Sequence, residues 1–94
     1  MNAKRFFYSA KYNKTGETVV REGLFTSSEA FFSQLAKWNG SATKDQDWSY
    51  FITTENIAET NYNEDIEISK YSITHSPYDT PVFGDSGVIA YVKI

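Results

Sequence analysis

The sequence predicts an α+β domain: a small antiparallel sheet of four to five strands carrying one helix on one face, in the order β-β-α-β-β-β. Three observations point there. The stretch Thr26 to Gly40, TSSEAFFSQLAKWNG, has the start, body and stop of an amphipathic helix. Short runs on either side of it alternate apolar and polar residues with the period of a strand. Seven Phe, seven Tyr and two Trp can build a core in a chain that has no cysteine.

The opening run, Lys4 to Tyr12, places Phe6, Tyr8, Ala10 and Tyr12 on one face of a strand and Arg5, Phe7, Ser9 and Lys11 on the other. Asn13-Lys14-Thr15-Gly16 is a turn, with Gly16 free to take positive φ. Glu17 to Phe25 returns as the second strand, and Gly23 marks an expected bulge.

In the helix, Thr26 is the expected N-cap and Glu29 its capping-box partner, with Phe25 stapling against Ala30. Phe31, Leu35 and Trp38 form the apolar stripe, which Phe32 and Ala36 widen. Asn39-Gly40 reads as a left-handed stop. The stripe should meet Phe6, Tyr8, Tyr50 and Ile52 in one core.

After the polar loop 40–47, the run Trp48 to Thr54 is a strand with Trp48, Tyr50 and Ile52 on one face. Glu55 to Asn63 is read as loop, because the Asn-rich TNYN follows one potential helical turn. Asp65 to His75 is a strand whose apolar phase changes midway, which a bulge near Ser69-Lys70 would explain. Ser76 to Gly87 is loop by its prolines, glycines and aspartates, and Val88 to Ile94 closes the sheet as a central or covered strand. As the terminal element it could also leave a pairing-competent edge, so the oligomeric expectation is a monomer that forms a hetero-complex, or a homodimer. One helix covers two to three strands, so the rest of the sheet must curl, lie under loops or meet a partner.

Ninety-four residues make a single domain, 1–94, with a thin core. Without cysteine the chain has no disulfide, thiolate metal site or Cys nucleophile. No window approaches the roughly 18 apolar residues of a membrane span, and the start, MNAKRFFYSAKY, lacks a secretion signal, so a cytoplasmic location without membrane contact is expected. The net charge of −3 divides unevenly: +3 over residues 1–40 and −6 over 41–94. Seven acids and no base lie between Asp45 and Glu67.

No motif carries a chemistry. Gly84-Asp85-Ser86-Gly87 matches the surroundings of the chymotrypsin-like protease nucleophile, with His75 before it, but the likeness covers four residues. It lacks the family's flanking residues, and GDSG is ordinary turn chemistry. One histidine, with Asp79 or Asp85 as its only candidate partners, is too little for a catalytic or zinc site, and the acids lack calcium-loop spacing. No enzyme activity, cofactor or metal is therefore expected.

The expected function is a protein-binding module, an inhibitor or adaptor, that presents Asp45, Asp47, Glu55, Glu59, Glu64, Asp65 and Glu67 to a basic partner, with Trp48, Tyr50 and Tyr62 as rigid contacts. Such a surface can act as a nucleic-acid mimic toward a protein that holds phosphates. The alternative is a single-stranded nucleic-acid platform on the basic hairpin through Arg5, Phe7, Lys11 and Lys14, which the negative net charge disfavours. In size, absence of cysteine, aromatic content and acidic half the chain resembles small phage-encoded inhibitors of bacterial defence complexes such as anti-CRISPR proteins. The resemblance is compositional and rests on no alignable motif.

Overall fold

The computed structural model describes residues 2–40, 47–62 and 65–93. Among them the chain is α+β, with seven strands in one sheet and two α-helices: β1 Asn2–Tyr12, β2 Thr18–Phe25, α1 Ser28–Gly40, β3 Trp48–Phe51, α2 Thr54–Tyr62, β4 Asp65–Glu67, β5 Ser72–Thr74, β6 Thr80–Gly84 and β7 Gly87–Lys93. The sheet order is β3-β1-β2-β6-β7-β5, with β4 also paired to β1. All pairs are antiparallel except β2–β6, which is parallel at Leu24↔Val82 and Phe25↔Phe83.

The first hairpin forms as its alternation requires. Tyr8 and Phe6 face α1, and Gly16 takes φ of 78° in the turn. No bulge occurs at Gly23, since the register runs unbroken from Lys4↔Phe25 to Lys11↔Thr18. Gly23 instead clears space for a ring: a Cβ there would stand 3.0 Å from Cε2 of Phe25. The sheet's irregularity lies between Val82 and Phe83 against β7.

Helix α1 starts one residue later than expected. Ser27, not Thr26, is the N-cap: its Oγ accepts from the Ala30 amide at 3.1 Å. The Thr26 amide is already committed to the Phe83 carbonyl at 3.0 Å, which extends the β2–β6 pairing. Phe31, Leu35 and Trp38 pack with Phe6, Tyr8, Tyr50, Ile52, Phe25 and Phe83 in one core, as the apolar stripe predicts. Phe32 and Ala36 do not join it and are exposed. Gly40 has no left-handed φ and remains helical. Asn39 does other work there. Its side-chain amide donates to the Tyr50 carbonyl at 2.9 Å and accepts from the Tyr50 amide at 3.0 Å, so it occupies the outer edge of β3.

The segment 65–75 is two strands rather than one bulged strand. β4 pairs with β1, β5 pairs with β7, and a 3-10 turn at Ile68–Lys70 joins them. In a flat sheet the five spacings from β4 to β5 would measure about 24 Å, at about 4.8 Å each. The five Cα–Cα steps from Glu67 to Ser72 reach at most about 18 Å. The sheet therefore curls, and Ala3, Leu24, Ile68, Val82 and Val92 fill its concave face as a second core.

Two further expectations change. Thr80 to Gly84 is a strand inside the supposed loop, and Pro81 is tolerated because it precedes the first β2–β6 pair. The last strand, β7, lies between β6 and β5 as the reading of a central or covered strand expects, and its pairing with β5 over Tyr91–Lys93 overturns the alternative of a free terminal edge.

Candidate functional site

The outer edge of β1 is shared by three elements. β3 pairs with Ser9–Tyr12 and β4 with Asn2–Lys4, leaving Arg5–Tyr8 without a strand neighbour on that side. Helix α2, expected as loop, fills the gap. The Phe7 amide donates to Oγ1 of Thr60 at 3.0 Å, so a side-chain hydroxyl takes the place of a ladder carbonyl.

Local chemistry starts this helix. Thr53 Oγ1 accepts from the Asn56 amide at 3.2 Å, and Asn56 Oδ1 accepts from the Thr53 amide at 3.0 Å. That is a capping box with Asn in the reciprocal position. Asn56 Oδ1 also accepts from Ser9 Oγ at 2.9 Å. The signal is present in Thr53-x-x-Asn56, but Asn is a poor helix former and the TNYN tail outweighs it.

The amphipathicity of α2 is inverted. Its two buried residues are polar, Asn56 at 2 % and Thr60 at 7 % exposure, while Ile57 is 52 % and Tyr62 89 % exposed. At about 3.6 residues per turn, Ile57 and Asn61 fall on one flank of the buried pair. Glu55, Glu59 and Tyr62 fall on the other.

The Ile57 flank borders an apolar cleft of about 210 Å³ between α1 and α2, lined by Phe6, Phe7, Phe31, Phe32, Ile52 and Ile57 with Ser28, Thr60 and Asn61 at its margins. Phe32 stands at its lip, 58 % exposed. Sequence pattern points to neither Phe32 nor Ile57 as a surface residue. The apolar stripe absorbs the first, and the loop reading hides the second.

On the opposite flank, Tyr62 borders a polar open cleft of about 740 Å³ with Arg5, Asp65, Glu67, Lys70 and Tyr71. Glu55, Glu59, Tyr62, Asp65 and Glu67 thus belong to the two elements stacked on one sheet edge, α2 and β4. The other expected contacts lie elsewhere. Asp47 is at the hairpin end, 3.7 Å from Lys14 Nζ. Trp48 and Tyr50 face the α1 side: Trp48 lies against Tyr12 and under the Arg21 guanidinium at 4.6 Å, and Tyr50 against Tyr8 and Trp38. Asp45 and Glu64 fall outside the described residues.

The hairpin does not assemble a strong basic platform. Arg5 lies 3.8 Å from Glu22 and Lys14 is paired as above, exposed contacts worth at most about 1 kcal/mol each but enough to dilute the field. Phe7 is half-buried and Lys11 exposed. Asp85 and Ser86 form the turn between β6 and β7, where Gly84 pairs with Gly87. Asp79 accepts from Thr74 Oγ1 at 2.7 Å, and His75 is exposed. Among the described residues no group of three or more His, Asp or Glu is placed to hold a metal ion, and no helix is long and apolar enough to cross a membrane. Comparison with known protein families, with curated proteins and with solved structures finds no match.

Proposed function

We propose that this chain is a small protein-binding module, an inhibitor or adaptor rather than an enzyme, whose recognition element is α2. The observation that carries the reading is the inverted helix. A nine-residue helix is marginal alone and ordinarily gains its stability by burying an apolar face. Here polar contacts through Asn56 and Thr60 hold it down, and its apolar residues point outward. Exposed Ile57, Phe32 and Tyr62 find a physical reason if a partner covers them. Glu55 and Glu59 share the Tyr62 flank of the helix and there favour a basic partner, setting orientation and association rate more than affinity. Where that partner normally holds phosphates, the acids compete with nucleic acid, as inhibitors of nucleic-acid-handling defence complexes would.

Photo-crosslinking tests this reading. A benzoylphenylalanine placed at Tyr62 should yield a protein adduct in an extract of the source organism, and Glu55→Lys with Glu59→Lys should abolish it. The same group at Val20, on the hairpin face that would bind single-stranded nucleic acid, is the rival probe. Adducts from Val20 alone, or with nucleic acid, contradict the proposal.

A further inference from the structure

We infer that the outer edge of β2, over Thr18–Glu22, pairs antiparallel with the same edge of a second copy of this chain. The inference stands apart from the α2 reading, because α2 lies along the opposite edge of the hairpin. It begins with the backbone groups. The Tyr12 amide donates to the Glu17 carbonyl at 2.7 Å, which makes these two a hydrogen-bonded pair of the hairpin. Such pairs alternate along the register. Val19, Arg21 and Gly23 therefore turn their amides and carbonyls to β1, while Thr18, Val20 and Glu22 turn theirs outward. Two contacts agree with that phase. The Phe7 amide, opposite Glu22, points away from β2 to Thr60, and the Thr26 amide points to Phe83 of β6.

β6 covers only the end of this edge. It pairs with Leu24 and Phe25, and the next donor in phase to reach β2 is the Pro81 nitrogen, which carries no hydrogen. Thr18, Val20 and Glu22 are all exposed. The run Thr18-Val19-Val20 is a strong strand former, and the edge holds neither the proline nor the lysine that commonly guards one. It is a template for another strand, and its charges choose which. Arg21 lies over the Trp48 ring, and Glu17 opposes Tyr12, whose ring packs on Trp48, so Glu17 and Arg21 share a face. They stand symmetrically about Val19. In an antiparallel pairing centred on Val19, Arg21 of each copy meets Glu17 of the other across the strands. Thr18 of each copy then exchanges both backbone bonds with Val20 of the other. Neighbouring registers fail. Sliding the second strand two residues one way sets its Gly16 against Leu24, whose outer side β6 already holds. Sliding it the other way separates Arg21 from Glu17. The contact is small: about five residues a side, against the roughly 20–30 of a standard complex, place its Kd on the order of 0.1–1 mM.

The test is sedimentation velocity of the whole chain from about 10 µM to about 1 mM, with amide NMR spectra over the same range. The sedimentation coefficient should rise toward that of a dimer, and the amides of Thr18, Val20 and Glu22 should shift with concentration. Val20→Pro removes only an outward amide, a place where an edge strand tolerates proline. It should keep a dispersed spectrum and stay monomeric throughout. Arg21→Glu sets like charges opposite each other and should weaken association about tenfold or more. Glu17→Arg with Arg21→Glu exchanges the pair and should restore it. That recovery separates the pairing from loss of the Arg21–Trp48 contact, which both variants lack. A monomer at every concentration, association that survives Val20→Pro, or no recovery in the exchanged variant overturns the pairing. So do shifts confined to Val88–Ala90, which place the contact on the part of β7 that β5 leaves uncovered. Were Val20→Pro to unfold, the charge exchange decides alone. A crosslink from Val20 to a second copy of this chain belongs to this pairing and leaves the α2 reading untouched.

Discussion

Ser9 Oγ donates to Asn56 Oδ1 at 2.9 Å across 47 positions of chain, with both residues buried. With the bond from the Phe7 amide to Thr60 Oγ1 it ties α2 to the central hairpin, and the same Asn oxygen accepts from the Thr53 amide at the helix start. Asn56→Ala removes both acceptor contacts and leaves a buried hydroxyl without its partner. The expected loss is about 1–3 kcal/mol. Urea denaturation should show a lower midpoint with an unchanged slope. A change below about 0.5 kcal/mol, the range of ordinary surface substitutions, would mean that α2 is held otherwise.

Leu35 and Phe32 are three residues apart on α1 and should behave oppositely. Leu35→Ala empties part of the main core and should cost about 2–5 kcal/mol. Phe32→Ala should stay within about 0.5 kcal/mol, because its ring is mostly in water. Thermal unfolding of the two variants side by side checks this. Equal losses would mean that the lip of the cleft is part of the core.

The contrast shows what is legible in the sequence. The stripe Phe31, Leu35, Trp38 and its partners Phe6, Tyr8, Tyr50 and Ile52 can be read because alternation and helical period carry the information locally. The phase change in 65–75 is visible too, but its cause is not. Ile66 and Ile68 belong with β1 and Ile73 with β7, an arrangement set by the curl of a sheet that no local pattern encodes. Helix α2 is hidden because its inward residues are polar, so the rule that hydrophobic positions face the core points the wrong way. The expected site therefore disperses: the α2 and β4 acids share one edge with Tyr62, whereas Trp48 and Tyr50 join the aromatic packing on the other face.

Gly87 closes the β6–β7 hairpin at φ of 122°, and a Cβ added there would meet nothing within 4 Å, so only backbone strain opposes a side chain. Gly87→Ala should cost about 1–3 kcal/mol in a melting experiment. A neutral result would mean that the turn relaxes to another type.

Asn39→Ala should uncover the edge of β3. The Tyr50 amide loses its acceptor and its carbonyl loses a donor. Hydrogen exchange at Tyr50 should accelerate, and stability should fall by about 1 kcal/mol. Unchanged exchange would show that a neighbouring group holds that edge.

Burial pushes the Tyr8 phenol above its ordinary value of 10.0; the Arg21 guanidinium opposes the shift and Tyr50 adds to it. The folded-state value thus exceeds the unfolded one, and the neutral phenol is the form the fold favours. Its contribution is fully present below pH 10.0 and is lost as pH rises through the folded-state value. Tyr8→Phe should flatten the alkaline decline in stability. An equally steep decline in that variant would assign it to other groups.

The most direct test of the account is recovery of the partner from an extract of the source organism with two charge-reversed variants in parallel. Glu55→Lys with Glu59→Lys alters the α2 flank, and Arg5→Glu with Lys11→Glu alters the hairpin. The account predicts that the first pair abolishes recovery, that the second leaves it near the unaltered level, and that added salt weakens what remains. Loss of recovery with the hairpin pair, alongside full recovery with the α2 pair, would contradict it.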